Sequence, residues 1–189
     1  EVRERLDKIN RHSDELVHMV NDLLDIARIE SGRMPMKQES CGLKHMAEQT
    51  ADMLSVQCKE KEIQLILDLP DNIDKVFADR SQIERVFINL LGNALKFTPA
   101  KGKIIVKARE ADGMVQVDIT DTGCGIPKKD QEAIFEEFYR VDNPINQQVK
   151  GTGLGLALVK RIIEAHAGKI WIKNSDNAGT TFSFTLPTS

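Results

Sequence analysis

The most constraining feature of the sequence is a pair of asparagines, Asn89 and Asn93, in a stretch that is otherwise mostly apolar. Asparagine is a mediocre helix former, so two of them in an apolar helix call for a chemical reason. Side chains four residues apart lie above one another on a helix, and Lys96 falls near the same face. The two asparagine side-chain oxygens and the lysine ammonium together predict a binding site for Mg²⁺ and a polyphosphate, since Mg²⁺ prefers oxygen ligands. The competing interpretation is that the asparagines are solvated or cap a loop.

A second motif follows a predicted strand. Residues 115–120 alternate apolar and polar side chains, which is typical of a half-buried strand, and Asp121 then begins the run Asp-Thr-Gly-Cys-Gly-Ile-Pro. A carboxylate at a strand end can accept a hydrogen bond from an exocyclic amine. Gly123 and Gly125 would let a planar base lie close to the backbone. The motif alone indicates only a turn.

A third motif, Gly-Thr-Gly-Leu-Gly at residues 151–155, opens a predicted helix from Leu154 to His166. The free N–H groups and the positive dipole end of such a helix face an anion. The spacing is not that of a Rossmann fingerprint, because the third glycine comes one residue too early, and the chain has no Walker A pattern. A different nucleotide-binding fold is therefore required.

The composition is that of an ordinary globular protein. The 189 residues are 41% hydrophobic and 29% charged, which allows one full domain and an appendage. A net charge of -3 gives no electrostatic reason to expect nucleic acid binding. No apolar run approaches the roughly 20 residues of a membrane span, so no membrane contact is expected within this stretch. Three well-separated cysteines disfavour a disulfide framework or a zinc site and favour a reducing cytoplasm.

Taken in order, the motifs resemble the catalytic and ATP-binding domain of bacterial sensor histidine kinases of two-component systems. Two further segments contribute: Phe-Glu-Glu-Phe-Tyr-Arg at 135–140 and Gly-Thr-Thr-Phe at 179–182. This domain belongs to an ATPase class shared with Hsp90-type chaperones, gyrase and MutL. The resemblance covers nearly the whole chain, and five motifs in the right order are specific where any one would be weak. It implies ATP or ADP with Mg²⁺ as cofactors.

The resemblance also implies roles for particular residues. Asn89 and Asn93 would hold Mg²⁺, Lys96 would meet the phosphates, Phe97 would lie on the adenine, and Asp121 would select its amino group. The other residues predicted to bind the nucleotide are Gly123, Gly125, Ile126, Tyr139, Arg140, Lys150, Gly151, Thr152, Gly153, Leu154, Gly155, Leu156 and Thr180. The predicted catalytic residues are Asn89, Lys96 and Arg140, the last through contact with the terminal phosphate.

Two positions depart from the pattern of these kinases. Arg85 stands where they generally have glutamine, so its contacts are open. His166-Ala167-Gly168 replaces the usual His-Gly-Gly, and His166 is interpreted as a helix-end residue rather than a catalyst. Neither departure affects the predicted ligands.

The N-terminal segment resembles the second helix of the dimerisation and phosphoacceptor domain. Its apolar stripe follows three- and four-residue steps through Leu6, Ile9, Ser13, Leu16, Val20, Leu23 and Ala27, widened by Val17 and Leu24. A lone helix with this much apolar surface is marginal in water, so a dimeric four-helix bundle is expected. The acceptor histidine would lie on the first bundle helix, which this fragment lacks. His12 has no acidic residue directly after it and is interpreted as a solvated helix residue.

The predicted organisation is a partial phosphotransfer domain at 1–33, a hinge at 34–40 and a catalytic domain at 41–189. The catalytic domain is predicted to be α+β, a two-layer sandwich of helices over a mixed sheet, which matches the Bergerat-type ATP-binding fold that the resemblance implies. The predicted helices run from about Leu43 to Lys59, from Asp79 and from Leu154 to His166; the predicted strands lie near 63–69, 76–78, 104–109, 115–120, 170–173 and 181–186. Residues 139–150 form either a surface loop or, as we expect, a lid over the triphosphate.

The expected function is ATP-dependent phosphorylation of a histidine on the absent helix, followed by transfer to an aspartate of a response-regulator receiver domain. We expect a homodimer through the bundle and a cytoplasmic location, as a separate protein or as the cytoplasmic portion of a membrane-anchored sensor. Two alternatives remain open: a nucleotide-binding scaffold without catalysis, and an ATPase or Ser/Thr kinase of the same fold. The fragment is expected to bind nucleotide with Mg²⁺ without phosphorylating itself.

Overall fold

The computed structural model describes residues 2–71, 73, 75–142, 151–176 and 178–189. Its regular elements are, in order, α1 (Val2–Glu30), β1 (Glu39–Gly42), α2 (Leu43–Glu60), β2 (Gln64–Asp68), β3 (Lys75–Ala78), α3 (Arg80–Phe97), β4 (Lys103–Ala111), β5 (Met114–Asp121), α4 (Gly155–Ala165), β6 (Ile170–Asp176) and β7 (Gly179–Pro187). Two 3-10 turns, Lys128–Asp130 and Ala133–Phe135, lie between β5 and α4.

Five strands form one mixed sheet in the order β2-β4-β5-β7-β6. Strands β2 and β4 are parallel, and the remaining neighbours are antiparallel. This confirms the predicted α+β fold with a mixed sheet. A second sheet pairs β1 with β3, with Glu39 opposite Ala78. Sequence analysis did not predict β1, and it places Glu39 and Ser40 in a hinge, because the run Glu-Ser-Cys-Gly has no apolar alternation and becomes a strand only through its distant partner.

The main core lies between the sheet and helices α3 and α4. Alternation along β5 turns Val117 and Ile119 inward, and the ring of Phe87 on α3 meets that of Phe184 on β7 edge to face at 5.9 Å. The other side of β5 carries polar groups that bond to one another: Gln116 Nε2 donates to Asp118 Oδ1 at 2.6 Å. The helices therefore cover one face of these strands, as predicted.

Helix α3 begins where its sequence predicts. Asp79 is the N-cap, and its carboxylate accepts hydrogen bonds from the backbone N–H groups of Gln82 and Lys37. Buried His166 joins this point to the end of α4. Its Nε2 accepts from the Asp79 N–H at 2.9 Å, and its Nδ1 lies 2.7 Å from the Ile162 carbonyl, which it can bond only as the proton donor. His166 is thus a structural helix-end residue that ties α3 to α4.

Helix α1 packs along α4 through one of its faces. Ile26 is only 2% exposed, and Met19 and Ile29 pack against the same core. An ion pair of 2.6 Å joins Glu30 to Arg161 on α4. None of the helices in the described part of the chain combines the length and apolarity needed to cross a membrane.

The residue after His166 offers a test of backbone strain. Ala167 has a φ of +56°, in the left-handed region where a side chain costs about 1 to 2 kcal/mol. Because glycine relieves that strain but gains freedom in the unfolded chain, Ala167→Gly should raise the free energy of unfolding by about 0.5 to 1 kcal/mol in urea titrations. Ala165→Gly, at the last residue of α4, serves as the control and should lower the free energy of unfolding by up to about 1 kcal/mol. A lower free energy of unfolding for Ala167→Gly than for the parent would show that the backbone at Ala167 is not strained.

Candidate nucleotide-binding site

One cavity of about 1100 Å³ opens between α1, α3, the segment after β5 and the start of α4. Most of the residues predicted to bind the nucleotide line it: Asn89, Asn93, Lys96, Phe97, Asp121, Gly125, Ile126, Tyr139, Arg140, Gly151, Thr152, Gly153, Gly155, Leu156 and Thr180. Motifs that are far apart in the sequence therefore meet at a single surface.

The asparagines and the glycine run face each other across this cavity. Asn89 Nδ2 donates to the Arg85 carbonyl at 3.0 Å, so its Oδ1 is turned away from the helix backbone. A Cβ atom placed on Gly155 would lie 2.7 Å from that oxygen, so glycine is needed where α4 begins. Asn93 lines the cavity one turn further along α3, and Lys96 is exposed beside it.

The donor set fits a hard cation that is shared with phosphates. Among the residues that the structure describes, no group of three or more His, Cys, Asp or Glu side chains could hold a metal ion alone. Amide oxygens from Asn89 and Asn93 are suitable Mg²⁺ ligands, and Mg²⁺ commonly completes its shell with phosphate oxygens and water. A magnesium ion here would therefore depend on a bound polyphosphate.

Asp121 lies at the floor of the cavity and is 6% exposed. Burial raises the pKa of its carboxyl, and hydrogen bonds from the backbone of Gly123 and Thr180 oppose the rise. The Gly123 N–H donates to Oδ1 at 2.7 Å, and a Cβ on Gly123 would lie 2.7 Å from that same oxygen. Gly123 does not itself line the cavity; it holds the carboxylate in place.

The raised pKa of Asp121 predicts a pH-dependent gain on neutralisation. The folded protein holds this proton to higher pH than the unfolded chain does, so ionised Asp121 lowers stability at neutral pH. Asp121→Asn should therefore be more stable than the parent at pH 7. The difference should shrink as the pH falls through the raised pKa of the folded protein, and it should level off below about 3, where the unfolded chain is protonated as well. Urea titrations across this range measure it. A difference in the free energy of unfolding between Asp121→Asn and the parent that does not vary with pH would contradict the raised pKa of Asp121.

The opposite end of the cavity is formed by backbone. Gly153 has a φ of +76°, and its carbonyl accepts from the Phe138 N–H at 3.1 Å. Thr152 Oγ1 accepts from the Leu154 N–H at 3.2 Å, and the Leu154 side chain lies in the core rather than in the cavity. Gly155 and Leu156, the first two residues of α4, line the cavity, which places the N-terminus of this helix at the site, as an anion requires.

Part of the predicted lid lies outside the described residues. Tyr139 and Arg140 line the cavity, and the Tyr139 hydroxyl donates to Asp130 Oδ1 at 2.7 Å. Residues 143–150, which include the predicted phosphate ligand Lys150, are not described. The expectation that this segment closes over a triphosphate stays a prediction.

One supporting residue is missing from the sequence predictions. Ser175 Oγ accepts from the Ile126 N–H at 2.6 Å and lies 3.0 Å from Thr180 Oγ1. Ser175 reaches this place because β6 pairs with β7 and sets it opposite Thr180. No local pattern around Ser175 signals this role, since it follows from the pairing of two strands.

Helix α1 supplies a wall of the cavity that sequence analysis also missed. His12, Glu15, His18, Asp22 and Asp25 line it on the side facing α3. His12 is exposed, as predicted, and its Nδ1 lies 3.2 Å from Glu15 Oε2. The site is therefore composite, with contributions from both predicted domains.

Comparisons with known proteins agree with this geometry. Residues 78–189 match the family described as histidine kinase-, DNA gyrase B-, and HSP90-like ATPase. The circadian input-output histidine kinase CikA of Synechococcus elongatus is 37% identical over 98% of this chain and 25% of its own length. The sensor histidine kinase WalK of Bacillus subtilis is 34% identical over 93% of this chain and 29% of its own length.

Solved structures give the same result. Full-length ShkA in complex with AMPPNP has a TM-score of 0.86 and 28% identity, over 99% of this chain and 39% of that chain. The chain spans 25% and 29% of the lengths of CikA and WalK. Because the family match covers more than half of the residues and includes each motif of the cavity, the chain belongs to the histidine kinase-, DNA gyrase B- and HSP90-like ATPase family, as the catalytic ATPase domain of a sensor histidine kinase.

Proposed function

We propose that this chain binds Mg-ATP and transfers the γ-phosphate to a histidine of a protein, in two-component signalling. The single observation that supports this most is the convergence on one cavity of the asparagine pair, the buried Asp121 and the glycine-flanked start of α4. The first suits a cation, the second a purine amino group and the third a phosphate.

Catalysis of phosphoryl transfer requires mainly that the protein positions the reactants and stabilises the charge on the transferred phosphoryl group. Asn89 and Asn93 would hold Mg²⁺, which when bound neutralises phosphate charge. Asp121 accepts a hydrogen bond from the adenine amino group, and Phe97 lies against the ring. Lys96 meets the phosphates at one end of α3.

The backbone at the start of α4 binds the phosphates from the other side. Its first N–H groups donate to phosphate oxygens, and the absence of side chains at Gly153 and Gly155 leaves room for them. Arg140, exposed at the rim of the cavity, contacts the terminal phosphate as it departs. Lys150 is proposed to add a second cation there.

The acceptor is proposed to lie on a helix outside this chain. The sequence has 4 histidines, and none is followed directly by an acidic residue. Residues 1–33 belong to a dimerisation domain, 34–40 to a hinge and 41–189 to the catalytic domain. Homodimers form through the apolar stripe of α1, and the phosphate passes on to an aspartate of a response-regulator receiver domain. The proposed location is the cytoplasm, where ATP is available.

A labelling experiment tests this function. The purified chain is given γ-labelled ATP with Mg²⁺, with and without a polypeptide bearing the first bundle helix of the parent protein. We expect acid-labile label on that polypeptide and none on the chain itself. Acid-stable label would indicate a Ser/Thr kinase, free phosphate an ATPase, and binding without turnover a scaffold. Phosphohistidine at His12 would show that the assignment of α1 is wrong.

A further inference from the structure

An extra residue in strand β6 turns one serine toward the nucleotide cavity. The pairing of β6 with β7 shifts at Lys173, which the register skips. A β-bulge of this kind reverses the alternation of the side chains that follow it. Without the extra residue Asn174 would lie opposite Thr180, and with it Ser175 takes that place. The bulge is held on the other side of the sheet, where the Lys173 ammonium donates to Asp118 Oδ2 at 2.8 Å.

Ser175 joins two segments that line the cavity. Its Oγ accepts from the Ile126 N–H at 2.6 Å and lies 3.0 Å from Thr180 Oγ1. Ile126 and Thr180 line the cavity, whereas Ser175 lies behind them. The Thr180 N–H also donates to the Asp121 carboxylate. Ser175 thus holds the Thr180 hydroxyl beside the carboxylate that is proposed to bind the adenine amino group.

The direction of the hydrogen bond between the two hydroxyls follows from counting their protons. Each hydroxyl carries one proton and can also accept. Within the described part of the chain, Ser175 Oγ has two partners: Thr180 Oγ1 and the Ile126 N–H, which can only donate. If Thr180 donated to Ser175, the Ser175 proton would have no acceptor among these groups, and an unpaired donor away from water is costly. Ser175 is therefore the donor to Thr180.

This direction leaves the Thr180 proton available to a ligand. Thr180 is only 4% exposed, so a ligand in the cavity must supply the acceptor for that proton. The hydrogen bonds from the Ile126 N–H through Ser175 to Thr180 all run in one direction, so that each polarises and strengthens the next. The cavity thus presents a donor, the Thr180 hydroxyl, next to an acceptor, the Asp121 carboxylate.

Adenine carries the complementary pair of groups on its six-membered ring. Its amino group donates, and the adjacent ring nitrogen N1 accepts. Hypoxanthine and guanine have the reverse pattern, an oxygen that accepts next to an N1–H that donates. In this cavity their N1–H would face the Thr180 proton and their oxygen would face the Asp121 carboxylate, so that neither pair could form a hydrogen bond.

We propose that Ser175 is a positioning residue that makes the site selective for adenine, because it fixes the Thr180 hydroxyl as the donor to N1. The same direction holds if one water bridges Thr180 and N1, since the water accepts from Thr180 and donates to the base. Ser175 acts through Thr180 and does not touch the base. The inference rests on the proposed binding of ATP and names a residue that determines which base is bound.

The test compares ADP with 1-deaza-ADP, which keeps the amino group but has a carbon in place of N1. Calorimetric titration of the folded chain in Mg²⁺ gives the Kd of each nucleotide. The parent should bind ADP about threefold to tenfold more tightly than 1-deaza-ADP, as expected for one hydrogen bond. In Ser175→Ala the two Kd values should agree within about twofold, because the Thr180 hydroxyl is no longer held. A merely structural role for Ser175 would weaken both nucleotides and leave their ratio unchanged, which would overturn the proposal.

Further variants show whether Ser175 acts through Thr180. Thr180→Val removes the hydroxyl and should abolish the preference for ADP over 1-deaza-ADP, and adding Ser175→Ala should change that preference no further. Ser175→Thr keeps a hydroxyl and should retain the preference. Ser175→Cys has a similar size but only a weak donor, so it should lose the preference even if Ser175→Ala does not fold. A preference that survives in Thr180→Val would overturn the proposal.

The matched control is Ser183→Ala. Ser183 is buried on β7 and donates to Asp118 Oδ1 at 2.7 Å, on the side of the sheet away from the cavity. Its loss removes a hydrogen bond of the same kind, so stability should fall while the preference for ADP over 1-deaza-ADP stays as in the parent.

Titration with IDP, whose base is hypoxanthine, completes the test. The preference for ADP over IDP should fall about threefold to tenfold in Ser175→Ala, because only ADP has an acceptor at N1 to lose. Equal binding of ADP and 1-deaza-ADP by the parent would show that Thr180 does not donate to N1, and would overturn the selectivity role alone. If the parent binds no adenosine phosphate at all, the proposed function fails and the selectivity role with it.

Discussion

Asn93→Ala is expected to lower the rate of phosphoryl transfer to the acceptor-helix polypeptide by about 100-fold or more. The reason is that a cation held by amide oxygens on α3 supplies several kcal/mol of charge stabilisation in phosphoryl transfer, and a factor of 100 corresponds to about 2.7 kcal/mol. Asn93 lines the cavity one turn from Asn89, and no cluster of carboxylates in the described part of the chain can take over its role. The rate is measured with labelled ATP at saturating Mg²⁺.

The control for this substitution is Asn10→Ala, an exposed asparagine on α1 outside the cavity. It should leave the transfer rate unchanged. Asn93→Ala should also weaken binding of ADP with Mg²⁺ but not binding of ADP in excess chelator, because only the first depends on the cation. Equal rates for Asn93→Ala and the parent would exclude the asparagine pair as the cation site.

Gly179→Ala is expected to lower the free energy of unfolding by about 3 kcal/mol or more and to abolish adenine binding. Gly179 has a φ of +137°, and a Cβ there would lie 1.9 Å from the Asp121 carbonyl oxygen. Both the backbone strain and the overlap must be relieved by moving β7 away from β5, where Thr180 pairs with Asp121. Urea titration measures the stability, and calorimetry measures the binding.

Gly92→Ala is the matched control for this change. Gly92 lies inside α3, and a Cβ added there would meet no atom within 4 Å beyond its own stretch of helix, so alanine should raise the stability by up to about 1 kcal/mol. Changes in the free energy of unfolding that are opposite in sign for Gly179→Ala and Gly92→Ala would be difficult to explain except by the local geometry of the two glycines. Similar stabilities for the two variants would contradict this explanation.

The sequence predicts those parts of the fold that local patterns determine. Alternation along β5 and the three-to-four spacing of α3 follow from burial of one face, and the start of α3 follows from the capping chemistry of Asp79. The site was predictable because each ligand type stands within a short motif, and the resemblance supplied the order in which these motifs meet.

What sequence analysis missed depends on distant pairing. Strand β1 exists only because Cys41 pairs with Val76, and Ser175 reaches Ile126 only through the register of β6 and β7. Arg85 stands out in the sequence as a departure from the kinase pattern, yet its two carboxylate partners are on another helix. No hydrophobic period or residue spacing within α3 could identify these two carboxylate partners.

The central claim is that α3 presents two amide oxygens and an ammonium to a magnesium-bound adenine nucleotide. Calorimetric titration of the folded chain with ADP, with and without Mg²⁺, tests it most directly. We predict binding with a dissociation constant within about 1 µM to 1 mM, the usual range for enzyme substrates. The binding should weaken when Mg²⁺ is removed, and the dissociation constant should differ in Asn93→Asp. The absence of heat with any adenosine phosphate, together with no effect of Asn93→Asp, would contradict it.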